Sequence, residues 1–414
     1  MILVKKKAAK CRLLLFVKSE QYIPEMHESM KVVIAPNALK DSLSQSQAVN
    51  AIANGIRLVI PDVQTVSVPV SDGGDGLIEV MQGPLGGRMI ELEVTGPLFQ
   101  PVKASYLFVE DSMTAIFEMA RSSGLALLKL EDRNAMEATT FGLGELVRDA
   151  LKKGAKHLVI GIGGSATNDG GTGFAAALGA KFLDSSNNPV KPIGRELSKI
   201  ASIQLQEMSS LLSGITVEAV CDVEAPLCGP LGAAAVFGPQ KGATPEEVKL
   251  LDAGLAHLAE IIKSTLGMDV ANRSGSGAAG GLGAGLAAFS AATLRPGVEV
   301  ILDLVGMNAA LEGADLVFTA EGKLDYQTIF GKGPAGVAKR AKKQGIPCIA
   351  IAGGIDHSGA GIASLFDIGV SAAFSLCSGP MSLDDALQNA AFLMTNAATQ
   401  ATRAFLAGQQ RGKK

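Results

Sequence analysis

Positions 161–173 constrain this chain more than any others: G-I-G-G-S-A-T-N-D-G-G-T-G, with six glycines in thirteen residues. They follow a strand-like apolar run, H-L-V-I at 157–160, and precede F-A-A-A-L at 174–178, which reads as a helix. Glycine loses more backbone entropy on folding than any other residue, so this density suits neither flanking element. It suits a sharp strand–loop–helix turn that brings backbone amides close to a ligand, with the helix dipole favouring an anion. Ser165, Thr167, Asn168 and Asp169 add hydroxyl, amide and carboxylate groups to the same loop. An ordinary turn uses the same residue types, so the loop gains weight only from the rest of the chain.

At 414 residues the chain is too long for one ordinary core, and two or three domains are expected. Hydrophobic content of 47% against 19% charged residues is that of a globular protein. A net charge of −3, 4% aromatic residues and no Trp argue against a nucleic-acid or membrane-surface binder. Five cysteines without a C-x-x-C pair and four scattered histidines indicate neither a zinc site nor a disulfide framework. A reducing cytoplasm is therefore expected. No run approaches the ~18 apolar residues that would mark a spanning helix.

Residues 1–29 differ in texture from the rest of the chain and read as a dispensable extension, with Met30 as the working start. From position 31 the order is regular. A buried strand at 32–36 leads into a polar loop, and Ser44 then caps a helix whose face carries Val49, Ile52, Ala53, Ile56 and Val59. A second strand at 63–70 ends in S-D-G-G-D-G. A helix over 137–153 feeds the strand before the central loop. Thr244, Pro245, Glu246 and Glu247 mark another helix start. G-S-G-A-A-G-G-L-G-A-G at 275–285 reads as a second glycine-rich loop, and the last third returns to strands at 315–319 and 348–352. The expected fold is α/β with two domains. Residues 30–70 and 290–414 form a discontinuous, Rossmann-like parallel domain, and 71–289 a second α/β domain. The ligand is expected in the cleft between them.

Four loops gather acidic and amide residues beside glycines: Asp72 with Asp75, Asn168 with Asp169, Asp222, and Glu321 with Asp325. Lys40, Lys241, Lys323 and Lys332 lie in similar loops. Each residue singly is an ordinary turn former. Repeated four times, the mixture suits phosphoryl transfer: amides and lysines neutralise phosphate oxygens, carboxylates hold Mg²⁺, and one carboxylate takes the acceptor hydroxyl's proton. There is no G-x-x-x-x-G-K-[ST] and no protein-kinase motif set. Gly161-x-Gly163-x-x-Ala166 partly matches a dinucleotide fingerprint, with Asp184 near the expected distance, but T-N-D-G-G-T-G stands where that fingerprint needs its helix to begin. His157 and His257 read as structural, and Cys221 has no histidine partner to activate it.

Five stretches in order resemble the bacterial-type glycerate kinases, which phosphorylate D-glycerate with ATP. They are A-P-N-A-L-K-D-S-L at 35–43, V-S-D-G-G-D-G at 70–76, I-G-I-G-G-S-A-T-N-D-G-G at 160–171, F-G-P-Q-K-G-A at 237–243, and E-G-K-L-D-Y-Q-T at 321–328 with Gly331 and Lys332. The resemblance covers the chain from Met30 onward. It implies a two-domain α/β kinase with Mg²⁺ and ATP, giving 2-phosphoglycerate or 3-phosphoglycerate; a homodimer is compatible with it. The chain departs from the family pattern at Asn37-Ala38 for Asp-Ser, Asp75 for Glu, Ala225 for Asn, Ala320 for Gly and Lys323 for Arg. Lys in place of Arg gives up bidentate contact with a carboxylate or phosphate. On this reading Gly163, Gly164, Ser165, Thr167, Asn168, Gly170 and Lys332 contact phosphates. Asp72 and Asp222 face Mg²⁺ or the glycerate hydroxyls, and Glu321 joins Asp222 as a metal ligand. Asp169 or Asp325 is the base, and Lys40 neutralises the transferred group. Asp169→Asn is then expected to cut turnover and leave the fold intact. The alternatives are a metabolite-binding regulator with a degraded site, favoured by Asn37-Ala38, and a dinucleotide-dependent dehydrogenase.

Overall fold

A computed structural model describes residues 30–39, 42–70, 76–325, 328, 332–356 and 360–411. The expected extension, together with Lys40, Asp72 and Asp75, lies outside these residues. The first sheet has the order β13-β12-β11-β1-β2, built from β1 (Lys31–Ile34), β2 (Gln64–Ser67), β11 (Leu316–Leu324), β12 (Cys348–Ile355) and β13 (Val370–Ser375). All of its pairings are parallel. Parallel strands are covered on both faces, which explains their continuous apolar runs. Val32 and Ile34 of β1 point into one core with the helices Gln45–Arg57 and Ala390–Arg411, while Val33 points into the opposite one. Ser44 caps the first of these helices in a capping box with Gln47, as its sequence predicts.

The second sheet has the order β10-β9-β6-β5-β4-β3. Its strands are β3 (Arg88–Thr95), β4 (Pro101–Val109), β5 (Thr114–Glu118), β6 (His157–Gly161), β9 (Thr216–Val220) and β10 (Thr293–Arg295). β5, β6, β9 and β10 run parallel, and β3 and β4 add an antiparallel edge. A separate antiparallel pair joins β7 (Lys181–Leu183) to β8 (Ser202–Gln204). Because β10 pairs with β9, the second sheet extends past position 290. Alternation along β6 decides its two cores: Leu158 and Ile160 face the larger one, and Val159 faces the smaller.

The segment at 275–285 is not a free loop. It lies mostly within the helix Ala278–Ser290, which turns left-handed at Ala279, Gly280 and Gly281 before continuing. Gly280 has a φ of +67°, and a Cβ there would stand 1.9 Å from the Thr167 carbonyl oxygen. The glycines admit one backbone against another, a use that composition alone does not distinguish from a flexible loop.

One helix serves both sheets. In Gly297–Leu304, Val298 and Leu302 pack into the first sheet's core, whereas Val300 and Ile301 pack with Leu77, Ile78 and Met81 against the second. Buried Arg340 donates to Asp303 Oδ1 at 2.6 Å and Glu299 Oε2 at 2.7 Å, tying the helix Gly333–Lys343 to this connector. Arg295 donates to the other oxygen of Asp303 and to Glu218, which also bonds His157 at 2.8 Å. His157 is thus structural, as expected. Replacing Arg340 by Leu leaves two carboxylates without their buried partner. The expected cost is about 2 kcal/mol, discounted because both carboxylates are a third or more exposed. Urea unfolding monitored by far-ultraviolet circular dichroism checks this; an unchanged midpoint refutes it.

Candidate active site

A cleft of about 1050 Å³ opens at the carboxyl ends of β5, β6 and β9, the edge where parallel α/β sheets take ligands. Its floor is the turn after β6. Gly163 and Gly164 are exposed there, and the amides of residues 163–165 donate to no protein group among the described residues. Ser165 also lines the cleft, with its hydroxyl accepting from Lys241 Nζ at 2.8 Å. The same ammonium donates to the Thr167 carbonyl at 2.7 Å. Burial pushes Lys241 down from its usual 10.5 to about 7, with the Asp169 carboxylate opposing the shift.

Arg133, another cleft residue, donates to the Gln240 carbonyl at 3.0 Å and forms no ion pair among the described residues. Arg121 differs: Glu118 and Glu79 both hold it, and Glu118 also accepts from the Gly76 amide at 3.0 Å. Leu125, Ala126, Phe237, Ala278 and Ala279 supply apolar wall. Arg133, Lys241 and open amides on one side, with apolar surface beside them, form a receptacle for a phosphorylated ligand carrying a planar group.

The remaining loop residues turn inward. Thr167, Asn168 and Gly170 are buried and absent from the cleft wall. Thr167 Oγ1 donates to the Ala279 carbonyl at 3.4 Å, and the Gly170 amide donates to Gly280 at 3.0 Å. Neither polar atom of the Asn168 side chain has a hydrogen-bond partner among the described residues. Asp169 is fully buried. Its carboxylate accepts from Thr140 N at 2.7 Å, Thr140 Oγ1 at 2.8 Å, Gly171 N at 3.1 Å and Gly173 N at 3.2 Å. Burial raises its pKa, and these donors oppose the rise. The next helix, Thr172–Ala177, therefore begins on a carboxylate of the protein itself. An incoming anion meets the amides upstream, at 163–165, and the dipole expected from the sequence is already engaged.

Asp222 lies in the cleft wall and accepts from the Gly297 amide at 2.8 Å, at the start of the connecting helix. Glu321 lies within β11 of the other sheet, Asp325 directly follows that strand, and Lys332 is the N-cap of the helix Gly333–Lys343; β11 pairs with β1 where the strand order reverses. Lys332 Nζ stands 3.4 Å from Glu321 and 3.9 Å from Asp325, while Lys323 approaches Asp325 at 3.6 Å. None of the three lines the cleft at β5, β6 and β9. No group of three or more His, Cys, Asp or Glu side chains among the described residues could hold a metal by itself. Mg²⁺ usually keeps only one or two carboxylates and takes the rest of its shell from phosphates and water, so Asp222 in the cleft wall fits that style of binding. Sequence reasoning misses Arg133 and places Lys241 only among the loop lysines. Lysine in a G-P-Q-K-G turn resembles a solvated residue until its burial is known.

Fold and site together define a two-sheet α/β protein of the phosphoryl-transfer class. Comparison makes this specific. The profile of the Glycerate kinase family matches residues 32–406. A glycerate kinase of Bacillus subtilis (strain 168) is 44% identical over 369 residues, covering 89% of this chain and 96% of its own. Glycerate 2-kinase of Escherichia coli (strain K12) is 43% identical, covering 87% of this chain and 94% of its own. A crystal structure from Salmonella typhimurium LT2, provisionally named glycerate kinase 2, superposes with a TM-score of 0.77 at 43% identity, covering 92% of this chain and all of the other. The chain belongs to the glycerate kinase family and is an enzyme of that class. Neither the regulator nor the dehydrogenase finds support in these relatives. Among the described residues no helix is long and apolar enough to cross a membrane.

The geometry revises the expected behaviour of Asp169→Asn. An amide placed among these four donors must turn an NH₂ group toward at least one of them. Stability is expected to fall by roughly 3 kcal/mol, with turnover lost alongside it. A variant of wild-type stability in urea that lacks turnover would instead restore Asp169 to the reacting groups.

Proposed function

We propose that this enzyme transfers the γ-phosphoryl group of ATP to a hydroxyl of D-glycerate, giving 2-phosphoglycerate. The observation that carries the reading is the cleft floor. Three amides with no acceptor among the described residues stand beside Arg133 and Lys241, within a chain that belongs to the glycerate kinase family. The name of the Escherichia coli relative, glycerate 2-kinase, supports the 2-position.

In this assignment residues 163–165 hold phosphate oxygens, and the apolar wall from Leu125 to Ala279 takes the base. Asp222 orients Mg²⁺ or a glycerate hydroxyl. Mg²⁺, when bound, would neutralise charge on the phosphates. Asp325 is the described carboxylate assigned to the acceptor's proton, since the Asp169 carboxylate is fully buried and already accepts four hydrogen bonds from the fold. Lys332 tempers the charge of Glu321 and Asp325. Asp72 and Lys40 keep their proposed roles at the substrate.

A coupled ADP-release assay on the full chain with Mg-ATP tests the reaction, comparing D-glycerate, L-glycerate, glycerol and no acceptor. Release that depends on D-glycerate is expected, and phosphorus NMR of the product then identifies the position. No acceptor-dependent release from folded protein refutes the reading. Asp325→Asn is expected to lower kcat by about 10²-fold or more at unchanged stability; unaltered turnover would remove it from the mechanism.

A further inference from the structure

Lys241 is too deeply placed to act as a solvated surface charge. It is 2% exposed, and its hydrogen bonds go to Ser165 Oγ and to the Thr167 carbonyl, on either side of Ala166. The short turn that carries it, Pro239–Lys241, is tied to Arg133 through the Gln240 carbonyl. A lysine so buried costs desolvation energy, which a merely structural position would more cheaply fill with an apolar side chain.

We infer that Lys241 is a positioning residue that turns the Ser165 hydroxyl into a directed donor for a phosphate oxygen of the bound nucleotide. A hydroxyl carries one hydrogen and two acceptor lone pairs. When the ammonium of Lys241 occupies one lone pair, the hydrogen of Ser165 must look elsewhere. No protein acceptor for it stands among the described hydrogen bonds, and Ser165 lines the cleft beside the amides of Gly163 and Gly164. The second bond, to the Thr167 carbonyl, fixes the backbone two residues on, so the donor's position and its direction are set by one side chain. Burial lowers the lysine's pKa to about 7 and Asp169 opposes that shift; phosphates arriving in front favour the protonated amine further. This assignment rests on the reading that the cleft takes a nucleotide's phosphates. It adds which side chain recognises them and which one prepares it.

The test measures affinity for ADP and a non-hydrolysable ATP analogue by titration calorimetry, so it does not require turnover. Wild type, Lys241→Met, Ser165→Ala and the double variant are compared, together with KM for ATP and for D-glycerate. Each single variant is expected to lose about tenfold in analogue affinity, the worth of one charge-assisted hydrogen bond. The double variant should lose no more than the weaker-binding single, and KM for D-glycerate should not move. Losses that multiply in the double variant, or a Ser165→Ala protein with wild-type affinity, overturn the inference. If Lys241→Met does not fold, Ser165→Thr decides: recovered affinity relative to Ser165→Ala supports the donor, and equal affinity refutes it. A wild-type enzyme that shows this affinity pattern but ignores D-glycerate would sink the acceptor assignment alone.

Discussion

Everything at the cleft depends on a backbone-to-backbone contact between two glycine-rich segments. A Cβ on Gly280 would stand 1.9 Å from the Thr167 carbonyl oxygen, one on Gly281 2.9 Å from the Gly170 Cα, and one on Gly285 2.4 Å from the Gly170 carbonyl oxygen. The Gly170 amide bonds the Gly280 carbonyl across this seam. Such an approach buries peptide groups that must find partners, and an unsatisfied one costs as much as a lost hydrogen bond. Asp169 solves part of this problem by accepting from Gly171, Gly173 and Thr140. The loop is thereby a rigid layer beneath the cleft. Its upper edge, residues 163–165, is left with donors facing no acceptor among the described residues.

The charges sort according to that layer. Asp169 lies beneath it, Lys241 threads it, and Arg133 stands beside it in the cleft wall. Arg121 is also in the wall, but its field is largely cancelled by Glu79 and Glu118. An anion approaching the cleft therefore meets net attraction at the Lys241 and Arg133 side rather than at Arg121. In a partly desolvated cleft such asymmetry is worth far more than the same charges in water. It gives the site an orientation before any ligand binds.

Much of this was legible from residue types. Ser44, and Thr244 with Pro245, mark helix starts that the structure bears out, adding capping boxes with Gln47 and Glu247. The parallel sheet drawn from both ends of the chain follows from buried apolar runs alternating with helical spacing. Other features were hidden because one residue type answers two physical needs. Glycine at 275–285 signals mobility and close packing alike, and only the partner at 167–171 distinguishes them. Asp169 in a turn looks like a free carboxylate, yet Thr140, distant in sequence, claims it. The helix expected over 137–153 begins instead at Phe141, because Thr139 and Thr140 are drawn into that network. Lys241 could have been suspected from its place between Gly238 and Gly242, where the chain turns tightly against Arg133.

The cleft is also mechanically joined to the first sheet. Asp222 in its wall accepts the amide of Gly297, the first residue of the connecting helix, and that helix buries one face against each sheet. Asp303 near the helix's far end is shared between Arg295 of the second sheet and Arg340 of the helix Gly333–Lys343, which packs on the first. A displacement of Asp222 by a ligand must therefore be absorbed by an element clamped at both ends. The helix Gly297–Leu304 is thus the packed element that stands between Asp222 in the cleft wall and the sheet whose β11 carries Glu321.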